Sequence, residues 1–234
     1  MSFVITVLGA SGGLGTSTFA CALAHAAAAT GTKVALVEGD TGRAGLDVTA
    51  VVEHLSGHRW PDLAAVEGRV DGTRLWQALP GDDGVRVLAG GGRGAPPAAR
   101  EAVVQGLVEG VDLVVVDGGQ PARGGGTPGW WAPDGARVTL LLVGLTPRRI
   151  HDARDVVTTD VDGVVTRGPR RRDDLAESAA RHVGLPWWGH LADDPRLPAD
   201  ESRGRPPGTR GDALGRVAAA ALSRAGWPGA RQAS

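Results

Sequence analysis

Four of the seven residues from Gly9 to Gly15 are glycine, and they stand between an apolar run and an alanine-rich one. The run before them, residues 3–8, is apolar and too short for a helix, so it reads as a buried strand. The run after them, residues 16–29, contains neither Gly nor Pro and reads as a helix packed on that strand. A strand that turns this tightly into a helix leaves the unpaired amides of the helix start facing outward. Glycine permits the positive φ angles and the close backbone approach that a ligand cradle requires. The segment is therefore an anion site, with free N–H groups and the positive helix end aimed at a phosphate. The alternative is a tight turn with no ligand.

Downstream, short apolar runs alternate with longer helical patterns, the signature of a parallel sheet covered by helices. Strands are expected at residues 33–38, 85–89, 112–116, 138–143, 163–166 and 187–191. Helices are expected at residues 72–79, from Pro96 and Pro97 to about 109, 147–157, 173–183 and 210–225. The expected fold class is α/β, one domain with a mostly parallel sheet and helices on both faces, over residues 1–226 with a tail at 227–234. The length of 234 residues fits a single domain with a real core. No apolar run approaches eighteen residues, and the start at Met1 lacks a basic region, so neither a membrane span nor a signal peptide is expected. The single cysteine, Cys21, fits a reducing cytoplasm.

Composition excludes several chemistries. The chain has no tyrosine, no asparagine and one lysine, Lys33; the other 24 basic residues are arginine. A formal charge of −1 argues against DNA binding by bulk electrostatics. The basic run Arg170-Arg-Arg172 is offset by Asp173 and Asp174 and reads as a solvated helix start. The six histidines have no ligand spacing, so a structural metal is not expected.

The string GASGGLG satisfies the GxxxGxG fingerprint of short-chain dehydrogenases, with Glu38 or Asp40 placed to hold a ribose. Those enzymes need a Tyr-xxx-Lys pair, which this chain cannot supply, so only an inactive cofactor-binding relative survives. The other alignment sets Ala10-Ser-Gly-Gly-Leu-Gly-Thr-Ser17-Thr18 against the P-loop pattern GxxxxGK[ST]. The loop alone does not choose between them.

The rest of the chain resembles ParA/MinD-type P-loop ATPases. Gly12, Gly13, Gly15 and Ser17 match their GKGGVGKT loop, whereas Ser11 stands at the signature lysine and Thr16 at the P-loop lysine. Asp40, Gly42, Leu46 and Asp47 match the DxDxGxxxLD pattern, with Glu38 at its first acid. Leu113-Val-Val-Val-Asp117 resembles a Walker B strand. Arg59-Trp-Pro-Asp-Leu63, Leu75-xx-Ala-Leu-Pro80, Arg167-Gly-Pro169 and Gly184-Leu-Pro186 are similar to segments of actinobacterial CpaE/TadZ-like proteins found beside pilus and secretion ATPases. Many members of that group carry a receiver-like region ahead of this domain, and the present sequence starts at the first strand.

That resemblance implies a nucleotide site made of Gly12, Gly13, Leu14, Gly15, Thr16, Ser17 and Thr18. ATP would be bound with Mg²⁺, the ion held by Ser17 and, through water, Asp117. Asp40 matches the residue that orients the attacking water. Arg167 follows Thr166 where relatives read adenine with Asn-Arg, and Pro186 is placed beside the base. Lysine neutralises outer-phosphate charge in such enzymes, and losing one stabilising group of that kind costs about 3–4 kcal/mol in catalysis. Arg43, Arg123, Arg148 and Arg167 follow strands on the ligand edge and are candidates to replace it. The expectation is micromolar-range or weaker nucleotide binding with very slow turnover. The implied role is a cytoplasmic localisation or regulatory factor for pilus assembly, secretion, or pole or septum positioning, acting as a nucleotide-dependent homodimer and recruited to the inner membrane face by partners. A slow genuine ATPase and a scaffold that binds no nucleotide are the alternatives. Trp130 and Trp131, in the loop after Asp117, are candidates for partner docking. The stripe Leu214, Val217, Ala221 and Leu222 is expected to pack on the domain.

Overall fold

The computed structural model describes residues 3–39, 45–90, 95–120, 136–157, 160–169 and 173–229. In chain order the elements are β1 (Phe3–Gly9), α1 (Thr16–Ala28), β2 (Val34–Glu38), α2 (Leu46–Thr49) and a 3₁₀ turn at Trp60–Leu63. They continue with α3 (Gly72–Ala78), β3 (Gly81–Asp82), β4 (Val85–Leu88), α4 (Pro97–Gly110), β5 (Leu113–Asp117) and β6 (Ala136–Gly144). The last are α5 (Pro147–Val156), β7 (Gly163–Gly168), α6 (Asp173–Val183), β8 (Trp187–Ala192), α7 (Leu197–Glu201) and α8 (Ala213–Arg224).

Eight strands form one sheet in the order β3-β4-β2-β5-β1-β6-β7-β8. Every pairing is parallel except β3 with β4. β1, β2 and β5 are buried at every position, which is why their sequences run apolar without alternation. β1 lies between β5 and β6, so the chain leaves it for β2 on one side and later returns past it to β6 on the other. Such a reversal opens a crevice at the carboxyl ends of the strands. The loop of residues 9–15 sits at that crevice.

α1 packs on α8, and α8 in turn covers β8. Of the expected stripe, Ala221 and Leu222 are buried there and Leu214 and Val217 partly buried, and Ala218 joins them. Trp227 is also buried, and its amide donates to the Leu222 carbonyl. Packing against the body thus includes Trp227, the first residue of the expected tail. α3 and α4 meet backbone to backbone: a Cβ on Gly72 would lie 1.7 Å from the Gly106 carbonyl oxygen. That approach explains glycine inside α4 despite its cost of about 1 kcal/mol to a helix. Four short elements escaped the sequence pattern: β3, α2, the 3₁₀ turn and α7. Each is five residues or fewer, too short for periodicity to show.

Candidate functional site: an anion cradle at the head of the first helix

The cradle is built from the turn between β1 and α1. Gly13 and Gly15 adopt φ of 73° and 82°, the left-handed region that favours glycine. The Gly9 amide is tied to Gly119 and that of Ala10 to Leu142, which pins the base of the turn to the neighbouring strands. Among the described residues, no hydrogen bond takes up the amides of residues 12 to 17. They border a cavity of about 370 Å³, within the range of roughly 300–1,000 Å³ usual for ligand sites. Residues 11–18 form one wall of it, and Glu38, Gly45, Leu46, Thr49, Asp117, Gly119 and Gln120 the rest. The buried Ser11 hydroxyl has no hydrogen-bond partner. An orphaned donor beside free amides is what a phosphate site leaves behind when its ligand is not counted.

The metal corner fits as well. Ser17 Oγ donates to Asp117 Oδ2 at 2.5 Å, so Ser17's only proton is committed and its oxygen keeps lone pairs for a cation. Asp117 Oδ1 accepts from the Gly119 amide at 3.2 Å. A hydroxyl backed by a carboxylate is an oxygen donor set suited to Mg²⁺. Among the described residues, no group of three or more His, Cys, Asp or Glu side chains could hold a metal.

Glu38 stands beside Asp117, its Cα partner at the carboxyl end of the adjacent strand. Its side chain is buried, with Oε1 accepting from the Leu46 amide at 3.3 Å and Oε2 from the Gly90 amide at 3.1 Å. Burial pushes its pKa up to about 7; the two amides pull it down, and the charges of Asp117 and Asp47 push it further up. Glu38 thus braces α2 and the end of β4 against the cavity floor. Trp60, completely buried, braces Glu38 from behind through Nε1 donated to the Glu38 carbonyl at 2.9 Å. The replacement of Asp by Glu supplied the signal: the longer side chain reaches two backbone amides across the loop.

The remaining expected site residues divide. Arg167 comes close to Gly15 without lining the cavity: a Cβ on Gly15 would lie 3.1 Å from its Nη1 and 3.9 Å from the Thr18 hydroxyl. Thr16 lines the cavity, and its hydroxyl lies 2.7 Å from where a Gly9 Cβ would stand, at the end of β1. Arg148 is exposed and pairs with Asp152 at 3.9 Å. Its neighbour Arg149, which the sequence pattern did not single out, lies along Gly144 beside Leu14. Pro186 is a correction. Its carbonyl accepts from Val164 at the start of β7, so it lies at the amino-terminal edge of the sheet, opposite the cradle. A residue that precedes a parallel strand cannot reach the edge where the strand ends. Thr166 is buried and bonded to Trp187 and His190, so it is not presented to a base. Lys33 also lies at the far edge, over the Trp76 ring. Asp40, Arg43, Arg123, the glycines 124–126, Trp130, Trp131 and Arg170-Arg-Arg172 lie outside the described residues.

No protein-family model matches the chain. Two curated proteins of Mycobacterium tuberculosis, from strains CDC 1551 / Oshkosh and ATCC 25618 / H37Rv and both described as uncharacterized, are 32% identical to it over 210 residues. That match takes in 83% of this chain and 55% of each relative, so the chain spans about half the length of the curated relatives. Among solved structures, a ParA family ATPase from Chlorobium tepidum TLS superposes with TM-score 0.77 at 12% identity, over 95% of this chain and 98% of that one. The septum site-determining protein MinD of Pyrococcus horikoshii OT3, complexed with Mg-ADP, gives 0.72 at 18% identity, over 97% and 98%. The chain has the fold of ParA/MinD P-loop ATPases. Among the described residues, no helix is long and apolar enough to cross a membrane.

Proposed function

We propose that this protein binds a Mg²⁺-nucleotide of the ATP/ADP type through a degenerate P-loop and hydrolyses it slowly or not at all. The observation that supports it is the row of amides from Gly12 to Ser17, without protein acceptors among the described residues, around a cavity of about 370 Å³. Backbone amides and a helix start bind phosphate without a side-chain cation. Ser17 and Asp117 would hold Mg²⁺, which would screen phosphate charge. Gly12, Gly13, Leu14, Gly15, Thr16 and Thr18 would contribute backbone donors. Asp40 is retained as the candidate to orient water. Catalysis is expected to suffer more than binding, because Ser11 and Thr16 carry no charge to stabilise a transition state.

Function follows from that chemistry. A protein that binds nucleotide without rapid turnover acts through the conformation or assembly the nucleotide favours. We assign it the role of a cytoplasmic localisation or regulatory factor, as a nucleotide-dependent homodimer, in pilus assembly, secretion, or pole or septum positioning. That finer role rests on the CpaE/TadZ-like segments and on the relatives of the same fold. Calorimetric titration with ATP, ADP and GTP at millimolar concentration tests the binding; absence of heat with all three removes it. Turnover of about 1 s⁻¹ or faster, the low end for ordinary enzymes, removes the slow-hydrolysis half. Light scattering with and without nucleotide tests the dimer, and a monomer in both conditions removes that part.

A further inference from the structure

Part of the cavity wall is α2 with the residue before it, through Gly45, Leu46 and Thr49. Four residues are too few for a helix to hold its place by its own hydrogen bonds. α2 ends in a paired turn: the Val51 amide donates to the Val48 carbonyl at 3.1 Å and the Val52 amide to the Asp47 carbonyl at 2.9 Å. That pairing needs a left-handed residue just past the helix, usually glycine. Here the residue is Val51, at φ 59°. A β-branched side chain in that region is a backbone outlier. Such a conformation persists only where the surrounding contacts over-determine it.

Arg59 supplies those contacts. Its guanidinium gathers three carbonyls from the segment just past Val51: Nη2 donates to Val52 at 3.1 Å and to Leu55 at 3.2 Å, and Nη1 to Gly57 at 3.2 Å. Its Nε lies 3.9 Å from Asp47 Oδ2, in α2. Val51 is thus bracketed by Asp47 and Val52, both held by one side chain. The Arg59 stem lies against Gly90, where an added Cβ would stand 3.1–3.2 Å from three of its carbons. The Gly90 amide in turn holds Glu38 on the cavity floor. Arg59 is itself fixed, its amide donating to Asp62 Oδ2 at 2.7 Å and its side chain only 17% exposed. Lysine could not do the same, since a compact ammonium does not span three carbonyls as a guanidinium fork does.

We propose that Arg59 is a positioning residue of the ligand site: by holding Val51 in its left-handed conformation it sets α2, and with it the wall that a bound phosphate chain meets. This rests on the nucleotide-binding reading above and adds the residue that keeps the cavity in shape. Arg59 does not line the cavity and acts on a ligand only through α2.

The test is calorimetry with ADP, ATP and GTP in the presence of Mg²⁺, on the unmodified protein, Arg59→Ala, Val51→Gly and the double variant, each shown to be folded by circular dichroism. Arg59→Ala lets Val51 relax and α2 shift, so affinity is expected to fall about tenfold. Val51→Gly alone should stay within about threefold, because glycine takes the same φ without steric cost. The double variant should return to within about threefold of the unmodified protein, because α2 then keeps its place without the clamp. A merely structural role predicts the reverse, with the added glycine loosening the segment further. Hydrogen exchange at the amides of residues 49–52, read without ligand, should follow the same order, faster in Arg59→Ala and restored in the double variant. Should Arg59→Ala fail to fold, Arg59→Lys carries the same comparison with a smaller loss. An affinity unchanged in Arg59→Ala, or a double variant as weak as Arg59→Ala, overturns the proposal while leaving nucleotide binding intact. No heat from the unmodified protein with any of the three nucleotides overturns it together with the reading it rests on.

Discussion

Replacing Glu38 by glutamine should reverse the sign of its effect on stability between acid and alkaline pH. In the fold Glu38 titrates near pH 7, well above the 4.5 usual for the residue. An acid with a raised folded pKa makes no difference while both states are protonated. As pH rises through about 4.5 the unfolded chain ionises first and is favoured, so stability falls until about pH 7, where the folded carboxyl ionises too. The full difference corresponds to about 3 kcal/mol, an upper figure because the cavity lets water reach one side of the carboxyl. The amide side chain of Glu38→Gln would not ionise, but its NH₂ cannot accept, so one of the amides of Leu46 and Gly90 loses its partner at a cost of about 1 kcal/mol. The variant should be less stable than the parent at pH 4.5 by about 1 kcal/mol and more stable at pH 8 by about 1–2 kcal/mol. Urea denaturation in chelator at a series of pH values, followed by tryptophan fluorescence, reads both numbers. A variant less stable at every pH, or one with the parent's slope between pH 5 and 7, refutes the buried-acid argument.

Other consequences can be checked separately. Ser17→Ala removes the hydroxyl proposed to hold the cation, so the Mg²⁺-dependent part of nucleotide affinity should vanish while affinity in chelator stays within about threefold, read by calorimetry. Trp60→Ala empties a fully buried site and frees the Glu38 carbonyl, and should cost about 3–5 kcal/mol in urea denaturation. Gly106→Ala places a methyl 2.8 Å from the Val70 Cβ and 2.9 Å from its carbonyl oxygen, and should destabilise by about 1–3 kcal/mol even though alanine favours helices. Cys21 is buried within α1 and its thiol is pushed well above the usual range by that burial, so a thiol reagent should react only at the rate of unfolding; rapid labelling of the native protein would contradict that.

The cradle could be read from the chain because everything that makes it is local. A strand, four glycines and a helix start lie within about fifteen residues, and their geometry depends on φ angles and on unpaired amides that no distant contact needs to create. That Ser17 and Asp117 stand on one edge was also within reach, since Ser17 lies in the first turn of α1 and Asp117 ends β5, and the parallel topology fixes that edge. The segment Arg59-Trp-Pro-Asp-Leu63 shows the opposite case. In sequence it carried only a family likeness, and the fold reveals its task, with Trp60 holding the strand end that carries Glu38.

What the chain could not show was which side chains from other elements meet the cradle. Arg148 lies in the first turn of α5 and Arg167 near the end of β7, both expected from sequence just past a strand, yet one is exposed and the other comes close to Gly15. Pro186 fits a family-like string but stands before its strand, so parallel packing carries it to the wrong edge. The raised titration of Glu38 needs burial, two amides from separate segments and the neighbouring Asp117, none of which is adjacent in sequence. Backbone conformation is decided within a few residues, so the sequence by itself determined the glycine turn with its unpaired amides and the sheet that presents it. The position of a charge depends on a side chain several ångströms long and on partners dozens of residues away, and that only the tertiary structure decided.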